Sequence, residues 1–167
     1  MSQTSNQYEF TLTRTFDAPR DLVWKAWTEA ERMAEWWGPK GFKKFVGKMD
    51  LRPDGVMHYC MTAPTGVEMW GRFVYREIVP QERLEFVVSF SDAAGGVTRH
   101  PFSPNWPLEV YNVLNFTEKD GKTTIHMIGY PITASELECK AFAEGRKSME
   151  AGFGGTLDQL AEFLAKR

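Results

Sequence analysis

Residues 145–166, GRKSMEAGFGGTLDQLAEFLAK, decide the architecture of this chain. Met149, Phe153, Thr156, Leu157, Leu160 and Leu164 recur at three- and four-residue intervals, so they form one stripe along a helix. Glu150, Asp158, Glu162 and Lys166 fall away from that stripe. The segment therefore predicts a long amphipathic helix that needs an apolar surface to lie on. Gly152, Gly154 and Gly155 sit within it, each at a cost of about 1 kcal/mol relative to alanine. Two uses offset such a cost: close approach of the helix to its neighbour, or space left open over a cavity mouth.

The surface comes from the rest of the chain. Tyr8 to Phe16 alternates, with Tyr8, Phe10 and Leu12 on one parity and threonines on the other, the pattern of a half-buried strand. Asp17-Ala18-Pro19 ends it, and Pro19 suits the first turn of a helix carrying Leu22, Val23, Ala26 and Trp27. A second short helix, near Ala30 to Trp37, stops at Gly38-Pro39. Strand-like runs follow at Lys43–Leu51, Val56–Thr62, Glu68–Val79, Leu84–Phe90, Leu108–Thr117 and Thr123–Ile128. Asp54-Gly55 and Asp120-Gly121 are hairpin signals between them. Ser135 is placed to cap a short helical turn ending near Phe142.

This order predicts an α+β domain over residues 8–167, behind a frayed tail at residues 1–7. Short turns make the sheet mostly antiparallel. A twisted sheet of about six to seven strands curls around the single long helix, and a cavity forms in the space between them.

Composition sets limits. The 167 residues include 20 basic and 22 acidic side chains, well mixed, for a net charge of -2, which argues against nucleic-acid or anionic-membrane partners. No apolar leader and no run of about 18 apolar residues is visible. Two isolated cysteines, Cys60 and Cys139, fit reduced thiols in a cytoplasmic protein. Six Trp, five Tyr, twelve Phe and eight Met suit either an ordinary core or a wide, irregular interior.

Five segments carry a family resemblance: Phe16-Asp17-Ala18-Pro19 with Val23-Trp24-Lys25-Ala26-Trp27-Thr28; Trp36-Trp37-Gly38-Pro39; Asp50-Leu51-Arg52-Pro53-Asp54-Gly55; Glu77-Ile78-Val79-Pro80-Gln81-Glu82-Arg83-Leu84; and Gly152-Phe153-Gly154-Gly155-Thr156-Leu157-Asp158-Gln159-Leu160. Together they resemble the activator of heat-shock-protein-90 ATPase homologue family, of the START and birch-pollen-allergen-like superfamily. Asp54 stands where glycine is more usual, and Gln81 where a second proline is. The resemblance implies a helix-grip fold, often with an interior pocket. The family name suggests a chaperone partner in a stress response.

Three functional readings follow. The first is a small hydrophobic or amphipathic ligand held between sheet and helix. Parity then makes Leu84, Phe86, Val88, Leu114, Phe116, Ile125, Met127, Met149, Phe153 and Leu157 the expected lining. His58, Glu68, Arg72 and Glu109 are polar residues within strands, so they are either pocket anchors or members of a solvated outer face. Trp36 and Trp37 are either a hydrophobic plug or a gate, and as neighbours at a helix end they can divide between core and surface. Residues 91–107 form a long connection, either a lid carrying Phe102 and Trp106 or an extended hairpin. The second reading is a co-chaperone-like interaction module; on any reading the chain is expected as a monomer or homodimer. The third is a cyclase- or hydrolase-like enzyme using the same polar residues. His58 and Cys60 share a strand face without further metal ligands nearby, and no nucleotide or nucleophile motif is present, so no metal or cofactor is expected.

Overall fold

The computed structural model describes residues 8–39, 41–100 and 103–166. Strand β1 (Phe10–Phe16) leads into helices α1 (Arg20–Thr28) and α2 (Ala30–Trp36). Seven strands follow: β2 (Lys43–Met49), β3 (Val56–Thr62), β4 (Glu68–Val79), β5 (Arg83–Ser91), β6 (Val97–Thr98), β7 (Glu109–Lys119) and β8 (Lys122–Ile132). Helices α3 (Glu136–Glu144) and α4 (Arg146–Ala165) close the chain. Among the described residues, no helix is long and apolar enough to cross a membrane.

The strands form one antiparallel sheet in the order β1-β8-β7-β5-β4-β3-β2, with β6 added beside β5. The sheet wraps α4, as the helix-grip expectation requires. Three predicted boundaries move. The turn after Ser135 is a full helix with a capping box, in which Ser135 and Glu138 satisfy each other's backbone N–H groups. Strand β8 runs on to Ile132, and β6 turns part of the long connection into a hairpin.

Two turn residues gain a physical account. Asp54 and Gln81 adopt φ of 66° and 64°. Glycine reaches that region without strain, whereas a proline ring, locked near −65°, cannot. Gln81 therefore holds a turn that a proline would forbid.

One end of the space beneath α4 is packed solid. Leu84, Leu114, Phe116 and Ile125 of the sheet meet Leu157 and Leu160 of α4, all nearly inaccessible. Trp24 of α1 stands edge-on to Phe116 at 5.2 Å. Trp27 and Trp36 cross at 4.7 Å, and the Trp36 indole donates to the Ala26 carbonyl at 3.0 Å. Gln159 of α4 donates to the Trp36 and Gly38 carbonyls at 3.3 and 2.5 Å, and Thr156 donates to Gly38 at 3.2 Å. These bonds dock the middle of α4 onto the end of α2.

The glycines of α4 do not serve close packing. A Cβ at Gly152, Gly154 or Gly155 would meet nothing within 4 Å. Their cost to the helix is therefore uncompensated by contact. Alanine at Gly152 and Gly154 together is expected to stabilise the protein by about 1–2 kcal/mol, raising the unfolding midpoint by several degrees in a calorimetric scan. A lower midpoint would mean that these glycines carry a packing or conformational role that their open surroundings conceal.

Candidate functional site

The other end of the same space is open. A cavity of about 200 Å³ lies between the sheet and the first half of α4. Its position follows from the register. Phe86, Asn112, Gly129 and Phe10 stand side by side across β5, β7, β8 and β1, and Val88 stands beside Val110 in the next row. All six line the cavity. Tyr59 and Met61 of β3 and Trp27 and Trp37 of the helical segment extend the wall, and Phe142, Met149 and Phe153 roof it.

Of the lining expected from parity, Phe86, Val88, Met127, Met149 and Phe153 face the cavity. Leu84, Leu114, Phe116, Ile125 and Leu157 face inward too, but into the solid core. The reason is position along the strand. Leu84 and Leu114 are one inward row beyond Phe86 and Asn112, where α1 and the second half of α4 fill the space.

The four expected anchors stand elsewhere. His58 and Arg72 pair across β3 and β4 on the parity opposite to the buried Met57, Tyr59, Phe73 and Tyr75. His58 stacks on Trp70 at 4.9 Å and lies 3.0 Å from the Asp92 carbonyl, while Arg72 donates to the Gly95 carbonyl at 2.9 Å. Both therefore pin the β5–β6 loop to the outer face. Glu68 is exposed at the start of β4, and Glu109 accepts from Thr133 at 3.3 Å on the outer parity of β7. This removes the proposed acid–base residues from the cavity.

The tryptophans also divide. Trp36 and Trp37 are both buried. Trp36 is a core plug and no gate, while Trp37 is part of the cavity wall. Trp106 reaches the cavity from the connection between β6 and β7. Phe102 lies outside the described residues.

Asn112 is the residue that the sequence pattern passed over. It shares the inward parity of Leu114 and Phe116, and a carboxamide at such a position is the signal. It is buried, and its Nδ2 donates to the Val110 carbonyl at 3.2 Å. Gly129 makes room for it, since a Cβ there would come within 3.1 Å of Oδ1. Tyr59 adds a hydroxyl whose pKa is pushed up to about 12 by burial, against a smaller opposing effect of the neighbouring Trp37. It stays neutral at physiological pH. Among the described residues, the wall holds no carboxylate, amine, guanidinium or imidazole.

Comparison with known proteins places this geometry. The family model described as "Activator of Hsp90 ATPase homolog 1-like protein" matches residues 17–165. No curated protein matches the chain. Among solved structures, protein Ms6760 of Mycobacterium smegmatis is 24% identical, with a TM-score of 0.77 over 96% of this chain and 92% of its own. An Arthrobacter aurescens protein solved by NMR is 23% identical, with a TM-score of 0.81 over 98% of this chain and 89% of its own. A Chromobacterium violaceum protein is 21% identical, with a TM-score of 0.72 over 95% and 97%. At such identities the likeness is one of fold. The match over residues 17–165, on a sheet that grips a C-terminal helix, shows that the chain belongs to the Activator of Hsp90 ATPase homolog 1-like family.

Proposed function

We propose that this chain binds an uncharged, mostly apolar small molecule in the cavity beneath the first half of α4. One observation carries the reading: the wall is aromatic, aliphatic and thioether, and its polar groups are neutral. Transfer of an ion into such surroundings, with no opposite charge to meet it, costs several kcal/mol. Asn112 offers both a donor and an acceptor, so it suits a single hydroxyl or carbonyl on an otherwise apolar ligand. The neutral wall, among the described residues, supports retention of a ligand. The free thiols of Cys60 and Cys139 agree with a cytoplasmic setting.

A pair of dyes tests this reading. N-phenyl-1-naphthylamine is neutral, and 8-anilinonaphthalene-1-sulfonate has the same rings plus a sulfonate. The neutral dye is expected to bind at least tenfold more tightly in a fluorescence titration. Equal affinity, or preference for the anion, would contradict an uncharged site.

A further inference from the structure

A surface groove of about 700 Å³ runs between the turn at residues 103–106 and the junction of α3 with α4. Phe90, Trp106 and Met149 line both this groove and the cavity. Those three side chains are thus a wall common to both.

Trp106 is the centre of that wall. It is half-buried and packs on Phe142 at 5.3 Å between ring centroids. It also lies against Gly145, where a Cβ would come within 3.0 Å of its ring. Its backbone is held by short connections: its N–H donates to the Ser103 carbonyl at 3.0 Å, and its carbonyl accepts from Arg99 at 3.3 Å. Arg99 also pairs with Glu138 of α3, which ties the turn to the helix. The backbone is anchored, and the ring also meets the His100 imidazole edge-on at 6.2 Å between centroids. Behind it the groove changes character, with the polar side chains of Ser103, Asn105, Glu144 and Ser148 along its length.

We infer that Trp106, with Phe90 and Met149, is a side-chain door, and that the ligand is an uncharged amphiphile. Its apolar body fills the cavity and its hydroxyl-bearing end rests in the groove. The inference builds on the binding reading above and adds a second subsite with its own chemistry. A sealed apolar cavity admits only what fits inside it. A cavity behind a side-chain door admits a tail whose head is too large and too polar to follow.

Two competitors with one tail separate these cases. The competitors for N-phenyl-1-naphthylamine are 1-octanol, kept below its aqueous solubility, and octyl β-glucoside, kept below its micelle concentration. The door predicts that both displace the dye, with midpoints within about fivefold of each other. Displacement by octanol with a glucoside midpoint more than thirtyfold higher would overturn the door and leave the cavity reading intact. Failure of the dye to bind at all would overturn both. Placement of the head is tested with Ser148→Trp and, separately, Asn105→Trp, both exposed positions in the groove. Each is expected to raise the glucoside midpoint at least tenfold relative to that of octanol. An unchanged ratio in both variants would overturn the groove as the head's location.

Discussion

Trp36→Ala lowers the unfolding midpoint by roughly 10 °C. The indole is fully buried, crosses Trp27 at 4.7 Å and Trp37 at 5.7 Å, and donates to the Ala26 carbonyl. Truncating a buried tryptophan costs about 3–5 kcal/mol in lost burial and cavity formation. The Ala26 carbonyl loses its donor as well, a further desolvation cost if no water enters. At this chain length each kcal/mol is worth roughly 2–4 °C. The same truncation at the half-buried Trp106 is expected to cost less than half as much. A Trp36→Ala loss below about 1 kcal/mol would show that the α1–α2 plug is not the anchor described above.

Val88→Trp is expected to abolish binding. Val88 is half-buried, its side chain faces the cavity, and it stands beside Val110 across β5 and β7. The added indole occupies the space that a ligand would use. Affinity for the neutral dye should fall at least a hundredfold. Stability should change little, because the ring enters a void and does not have to displace packed atoms; overpacking of a tight core would instead cost about 1–3 kcal/mol. A folded variant that still binds within threefold of the wild type would move the site elsewhere. A cooperative unfolding transition is the check that the variant is folded.

Much of this arrangement is legible in the chain. The stripe from Met149 to Leu164, the alternation of Leu84, Phe86, Val88 and Phe90, and the Gly38-Pro39 stop predict the elements that the structure contains. Alternation tells which face a side chain takes but not how far along the sheet it stands. That is why Phe86 and Leu84, of one parity, part company between cavity and core. The displaced anchors have a different cause. Met57, Tyr59 and Phe73 already assign the inner face of β3 and β4, which sends His58 and Arg72 outward. Weighing polar residues singly, apart from their strand's alternation, is what made them candidates. Asn112 shows the converse: a polar residue on an inward parity was a better guide to the site than any charge.

The division of Trp36 from Trp37 was not readable locally. Both are buried because α2 ends between the sheet and α4, and Thr156 and Gln159 hold the Gly38 carbonyl from more than a hundred residues away. The glycines of α4 likewise gave two readings at sequence level. The empty surroundings of Gly152, Gly154 and Gly155 weigh against close packing.

The methionines offer the most direct test of the cavity as a binding site. Met61, Met127 and Met149 line it, whereas Met33 is sealed in the core and Met49 lies on the edge strand β2. Methyl-labelled methionine gives one NMR signal for each of the eight residues. Titration with N-phenyl-1-naphthylamine is predicted to shift Met61, Met127 and Met149 together, saturating at one ligand, while Met33 and Met49 stay in place. Saturable shifts at Met33 or Met49 with the three cavity methyls unmoved would contradict the account.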